Sequence, residues 1–293
     1  MRFALGVFLS ILSSISVLAS DEVADLKENY NKLVKTKYVL LPHRNTFFLP
    51  YVYNWMPYES LYQSLKNVDE KNYDEDYYKK TEAEFQISFA LPLARNIFNL
   101  KWDFMVAYTH HAWWQVYNGP WSKPFRETNY TPEMFTRHVY STSQEMSGIN
   151  LEAIDIGYVH QSNGQIQILS RSWNRIYARA FLRYDLIHIL VSGWYRLPEK
   201  RSEDDNPDIY NYMGLGQIEL IKSFGSHMVH FSMPLLSHHF SPDLKYSYPL
   251  SDGLRWYLSY QSGYGHSLIE YDRPTQRLGL GITLETLFSN KSE

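Results

Sequence analysis

From residue 82 onward, apolar side chains recur at every second position. Phe85, Ile87, Phe89, Leu91 and Leu93 share one parity, and Glu84, Gln86 and Ser88 share the other. Leu100, Trp102, Phe104, Val106 and Tyr108 run against Lys101, Asp103 and Thr109. Near the end, Leu278, Leu280, Ile282 and Leu284 alternate with Gly279, Gly281, Thr283 and Glu285. Successive strand side chains point to opposite faces, so each segment has one apolar face and one polar or small face. Many such segments with turn residues between them read as an antiparallel sheet. A soluble sandwich would turn the apolar faces inward; a membrane barrel would turn them out to lipid and line its bore with polar groups. The polar face decides between them. Trp173, Arg175, Tyr177, Arg179, Phe181 and Arg183 share a parity, against Ile176, Ala178, Ala180 and Leu182. Three arginines on one strand face are awkward at an ordinary solvent surface. They suit a bore, paired with carboxylates such as Asp103 or Asp155. A closed barrel also satisfies every backbone group in lipid. The expectation is therefore an all-β, antiparallel transmembrane barrel. Its 25 Tyr and 8 Trp fit a sheet that meets a membrane interface. The strand ending at Leu287-Phe288 would supply the terminal aromatic that such barrels commonly carry.

Composition removes other classes. There is no Cys, which excludes a disulfide-stapled scaffold, a thiolate metal site and a Cys nucleophile. With 28 Lys+Arg against 31 Asp+Glu, the net charge is -3, and no nucleic-acid partner is expected. After residue 20 no long uncharged apolar stretch appears, so a helical membrane bundle is excluded. Residues 1–19 read as a signal peptide: Arg2 at the start, an uncharged apolar run, and Val17-Leu18-Ala19 as the cleavage pattern. Residues 20–80 read as an N-terminal extension with a first strand region. Within it, Asp21 to Lys37 suits a short amphipathic helix, Phe47 to Tyr51 an extended apolar segment, and Val68 to Lys80 a solvated charged loop. Residues 81–288 form the barrel and 289–293 a tail.

One window carries chemistry. Ile154, Ile156, Tyr158, His160 and Ser162 share a parity, so the face that begins apolar ends in an imidazole and a hydroxyl. Asn163-Gly164 is a turn signal. The returning segment carries Asn174 on the parity of Ile176, Ala178, Ala180 and Leu182. All three polar groups thus fall on the lipid-side face, where polarity is costly and needs a reason. By role they are a nucleophile, a base and an amide that orients the base. His-x-Ser alone is weak, and a strand end lying above the hydrocarbon also accounts for it. Histidines 227 and 230, and His238-His239, lack a third metal ligand at a persuasive spacing and read as loop or strand-end residues. Gly214 and Gly216 read as a strand glycine pair rather than a nucleotide loop.

Several stretches carry a resemblance: G-Y-V-H-Q-S-N-G (157–164), S-R-S-W-N-R-I-Y-A-R (170–179), Tyr108-Thr109 with Trp113-Trp114-Gln115, P-F-R-E-T-N-Y (124–130), D-D-N-P-D (204–208) with Tyr212-Met213-Gly214, and S-G-Y-G-H-S-L-I-E-Y (262–271). In this order they resemble the outer membrane phospholipase A family. The resemblance implies a twelve-stranded barrel in the outer membrane of a Gram-negative bacterium, with an active site on its outside. It implies hydrolysis of acyl esters of membrane phospholipids at either acyl position, and of lysophospholipids. Ser162 is then the nucleophile, His160 the general base, Asn174 its orienting residue, and the Gly164 amide the oxyanion donor. It further implies Ca2+ and a homodimer as the active form, with the monomer inactive. The matching calcium positions are Gln165, Ser170, the partner's Ser122, and Asp205 for a site of the monomer. Gln165 replaces what is commonly a basic residue, which a backbone carbonyl ligand would tolerate. His110 stands where the family often has a Gln that bonds across the dimer; it is equally an interface residue beside Trp113-Trp114. Two non-enzymatic readings remain beside this one: a pore or adhesin barrel, and a secreted soluble sandwich.

Overall fold

In the computed structural model, which describes residues 26–34, 39–59, 76–146, 148–286 and 288, the alternating segments pair edge to edge. The strands are β1 (Phe47–Asn54), β2 (Thr81–Ile97), β3 (Trp102–Trp114), β4 (Phe125–Met146), β5 (Ile149–Ser162), β6 (Ser172–Tyr184), β7 (Ile187–Arg196), β8 (Gly216–Phe224), β9 (His227–Leu235), β10 (Asp243–Ser251), β11 (Leu254–Gly263) and β12 (Thr275–Leu284). Each pairs antiparallel with its chain neighbours, and β12 returns to β1. Among the described residues, twelve strands thus close into a barrel with no free edge, as a sheet in lipid requires. A two-residue strand, Leu41–Pro42, pairs antiparallel with β2 at Phe89 and Ala90. Residues 1–19 and 289–293 lie outside the described residues, as does most of the Val68 to Lys80 run.

The parities divide as the sequence pattern requires. Ile87, Ile156, Ile176, Leu278, Leu280 and Leu284 are exposed on the outer wall, while Trp173, Arg175, Tyr177 and Phe181 are buried inside. Connections at one mouth are short: 98–101, 185–186, 225–226 and 252–253. At the other they are long, at 115–124, 163–171, 197–215 and 264–274. Short turns on one side and long loops on the other are the pattern of outer-membrane barrels, whose long loops face outward.

The bore is packed rather than open. Helix α1 (Leu26–Val34) lies inside it, with Leu26, Tyr30 and Val34 buried. Tyr30 packs with Met105, Phe135, Val159 and Tyr177, and Leu26 with Ala153, Phe181 and Leu190. The Tyr30 hydroxyl donates to Asp103 Oδ2 at 2.7 Å. Several charged groups in the bore are paired. Arg137 Nε meets Asp155 Oδ1 at 2.7 Å, Arg179 lies 3.9 Å from Asp155, and Arg183 meets Glu152 at 2.8 Å. Asp103 instead faces Tyr30 and Arg95. Arg175 meets no carboxylate among the described residues; it donates to Gln161 Oε1 and lies 3.7 Å over the Trp173 ring.

Two expectations change and a third is refined. The last strand ends at Leu284, not at Leu287-Phe288. The Phe288 ring turns against Phe181 and His188 at the short-turn mouth, where the bore wall offers aromatic contacts. Gly214 is not in a strand: it follows a one-turn helix, α2 (Ile209–Met213), at φ 71°, and β8 begins at Gly216. Asn163-Gly164 does turn the chain, but as the start of a wider loop. Residues 163–171 form a longer loop with a 3₁₀ turn at Gln167–Leu169.

Candidate active site

Strands β5 and β6 place the candidate residues by register alone. His160 lies directly across from Asn174, and Ser162 across from Ser172. Their inward neighbours Val159 and Trp173 are 3% and 0% exposed, so His160, Ser162 and Asn174 face out, in line with the exposed Ile156 and Ile176. The imidazole Nδ1 and Asn174 Oδ1 are 2.9 Å apart. Because Oδ1 only accepts, the proton sits on Nδ1 and the Nε2 lone pair is left free. The Tyr158 hydroxyl donates to the same Oδ1 at 2.5 Å, and Asn174 Nδ2 donates to Glu199 Oε1 at 3.0 Å. The carboxamide is thus held at both ends. Ser162 is the next outward residue after His160. No hydrogen bond joins it to the ring among the described residues. Nucleophile–base bonds are commonly long before substrate binds and tighten only with substrate present.

Parity alone would have added Tyr158 to the site, since it shares the outward face two residues before His160. Glu199 comes from the loop after β7 and left no signal in the sequence.

Beyond Ser162 the chain turns sharply. Gly164 has φ 65°, and a Cβ there would meet the Tyr130 ring at 3.0 Å, so two independent constraints favour glycine. Its N–H has no hydrogen-bond partner among the described residues. Ser170 Oγ donates to Asp205 Oδ2 at 2.5 Å, which brings two candidate calcium residues together. Gln165 is exposed on the same loop, and Ser122 is exposed on the 115–124 loop at φ 58°. Among the described residues no three His or carboxylate side chains cluster as a metal site. The Ser170 hydroxyl and Asp205 carboxylate that do meet are hard-oxygen donors, the kind calcium takes.

His110 also faces out. It is paired across strands with Ile87 and Tyr130, stacks on Phe85, and its Nδ1 lies 3.4 Å from the Tyr108 hydroxyl. Tyr130 is in turn paired with Ser162, so His110, Tyr130 and Ser162 form one row across three strands. His227 bonds the Tyr246 hydroxyl, and His230 pairs inside the bore with Glu219; both are strand residues.

A closed barrel with imidazole, hydroxyl and carboxamide gathered on its lipid-side wall defines an outer-membrane barrel protein with a candidate ester-hydrolase site. The family profile of Phospholipase A1 matches residues 23–284, and the chain belongs to this family of lipid ester hydrolases. It is 36% identical over 254 residues to a phospholipase A1 of Klebsiella pneumoniae, covering 85% of this chain and 87% of that protein. It is 35% identical to the phospholipase A1 of Escherichia coli K12, covering 85% and 86%. The structure of outer membrane phospholipase A from Escherichia coli superposes with a TM-score of 0.79 at 30% identity, covering 92% of this chain and 100% of that one. A Salmonella typhi outer membrane phospholipase, a dimer with bound calcium, superposes at 0.75 and 32% identity over 85% of this chain and 93% of that one.

Proposed function

We propose that this protein is a calcium-dependent outer-membrane phospholipase that releases fatty acids from either acyl position of glycerophospholipids and from lysophospholipids. In this reading Ser162 Oγ attacks the ester carbonyl carbon while His160 Nε2 takes its proton. Asn174 keeps that proton acceptor correctly turned by holding Nδ1–H. The tetrahedral oxyanion takes the N–H of Gly164. Collapse breaks the carbon–oxygen bond to glycerol, and the imidazolium returns its proton to the leaving alkoxide. Water, deprotonated by His160, then hydrolyses the acyl-enzyme to the free acid and restores Ser162. The observation that carries this reading is the His160–Asn174 bond on the outward face with Ser162 as the next outward residue. Lipid reaches such a site sideways from the bilayer, so the bore takes no part.

Calcium would be held by oxygens of Gln165 and Ser170 with Ser122 of a partner subunit, and by Asp205 in the monomer. Held there, it would supply positive charge that stabilises the oxyanion. The Salmonella relative, a calcium-bound dimer, supports both calcium and dimerisation here. His110 lies in the row that contains Ser162, on the face a second copy would cover. Dimerisation would then complete the site, and the monomer would be inactive. Residues 1–19 would direct export as a signal peptide.

The test is fatty-acid release from mixed phospholipid–detergent micelles by the purified protein. Ser162→Ala is expected to reduce turnover by about 10³-fold or more while the barrel stays folded. Chelation of calcium is expected to stop turnover reversibly without unfolding. Full hydrolysis by Ser162→Ala would reject the assignment.

A further inference from the structure

Two of the stretches that carry the family resemblance, 124–130 and 262–271, take no part in the chemistry above. The structure brings them together at the long-loop mouth of the bore. Arg126 Nη1 donates to Glu270 Oε2 at 2.7 Å. Glu127 Oε1 accepts the Ile269 N–H at 3.2 Å, and Asn129 Oδ1 accepts the Leu268 N–H at 3.1 Å. Asn129 Nδ2 also donates to Glu127 Oε1 at 2.5 Å. Glu127 is 1% exposed, and its other oxygen, Oε2, faces Asn163 Nδ2 at 3.4 Å. Asn163 directly follows the candidate nucleophile and is 2% exposed.

The Asn163 carboxamide spans the loop that follows Ser162. Its Oδ1 accepts the N–H of Arg171 at 2.9 Å and of Gln165 at 3.3 Å. Its Nδ2 donates to Leu169 O at 2.8 Å, and the Asn163 main-chain N–H donates to Arg171 O at 3.0 Å. The chain on both sides of Gly164 is therefore fixed by one buried side chain. The Gly164 N–H between them has no hydrogen-bond partner among the described residues. Asn163 alone would hold the loop to itself; the bond to Glu127 ties it to the barrel wall and to the 264–274 loop.

We infer that Asn163 and Glu127 are positioning residues for the oxyanion donor, a strut running from the 268–270 segment through β4 to the Gly164 amide. The inference rests on the proposed hydrolytic reading. The strut sets the direction of an N–H that acts on charge developing in the transition state. Its loss should therefore lower kcat and leave KM nearly unchanged. Asn163→Ala and Glu127→Ala are each expected to lower kcat by about 10- to 100-fold with KM within about twofold, less than the roughly 10²- to 10³-fold cost of removing an oxyanion donor outright. Glu127→Gln keeps an oxygen for Ile269 N–H and should lose less than Glu127→Ala. Asn163→Asp sets two carboxylates face to face and should be severely impaired. It also turns a carboxylate oxygen on Leu169 O, which the Asn163 amide nitrogen otherwise bonds.

The experiment measures kcat and KM of these variants with a chromogenic thioester phospholipid in detergent. Folding is followed by the heat-shifted band on gels, and Ser162→Ala is run beside them. If Ser162→Ala is inactive while folded Asn163→Ala and Glu127→Ala keep kcat within twofold, the strut is wrong and the catalytic reading stands. A loss confined to KM also overturns it. Activity in Ser162→Ala would reject the catalytic reading instead.

Discussion

Asn174 shows how much one side chain does here. Its oxygen takes hydrogen bonds from both His160 and Tyr158, and its nitrogen gives one to Glu199. In the proposed mechanism a carboxamide adds no charge to the imidazolium, so its contribution would be orientation. Asn174→Ala should then lower kcat by about 10- to 100-fold, the worth of one hydrogen bond to a group that becomes charged. Tyr158→Phe removes a donor but leaves Oδ1 free for the ring, and should cost only a few-fold. Steady-state kinetics of the two variants test the ranking, and equal losses would contradict it. The pairing of His160 with Asn174 was legible in the sequence because both sit on outward parities of adjacent strands. Glu199 was not, because a loop residue carries no period to read. Its partner is decided only when the 197–215 loop folds back on β6, where Leu197 N–H meets Asn174 O at 2.8 Å.

At the scale of elements, β5 must deliver His160 and Ser162 at a fixed height on the outer wall, and its pairing with β4 sets that height. Gly157 is the tight point of this pair. It faces inward, and a Cβ there would lie 2.4 Å from Phe135 Cβ and 2.5 Å from Met134 O. Backbone cannot yield as a flexible side chain does. Gly157→Ala should therefore destabilise the barrel by about 1–3 kcal/mol, the usual range for overpacking. Activity should fall as well, because the distortion sits three residues from His160. Thermal unfolding followed by circular dichroism, with kinetics at a temperature where the variant is still folded, tests both. The strands themselves were readable because lipid on one side and paired charges on the other enforce a strict period of two. The exceptions are where that pressure stops. Phe288 lies past the last strand and finds its partners in the bore. Residues 163–171 follow side-chain hydrogen bonds from Asn163 rather than the two-residue geometry that Asn-Gly suggests in isolation.

On the scale of the whole molecule, the inside of the barrel is a polar core built from ion pairs. Arg126 joins Glu82 at 3.0 Å and Glu270 at 2.7 Å, and Arg277 joins Glu82 at 2.7 Å and Glu84 at 2.8 Å. Removing one cation leaves buried carboxylates uncompensated. Burial already pushes the Glu270 carboxyl above the usual carboxylate range, against the opposing pull of Arg126. Arg126→Met is accordingly expected to destabilise the fold by about 3–5 kcal/mol, measured as a lower unfolding midpoint in denaturant. The other end of the bore is closed differently. Helix α1 buries Leu26, Tyr30 and Val34 against the inward residues of several strands, and Arg95 Nη1 donates to Val34 O at 3.3 Å. Between the two ends lies a cavity of about 300 Å³, lined by His43, Arg44, Glu133 and Lys245 among others. An amphipathic helix was legible in the charged segment from Asp21 to Lys37. Its place inside the barrel was not, because a helix buries its apolar stripe equally well on any complementary surface. With one mouth held by an ion-pair cluster and the other by a helix, the protein should not conduct. Purified protein in a planar bilayer is expected to show no steady ionic current while releasing fatty acid in a parallel assay. Deleting residues 26–34 should raise conductance above the full chain's background and lower thermal stability, since three buried side chains lose their packing. The candidate hydrolytic residues face lipid on the far side of the wall, so a folded deletion variant should retain measurable hydrolysis. Steady conductance from the full chain, with no fatty-acid release, would mark it as a pore and reject both the plug and the catalytic reading.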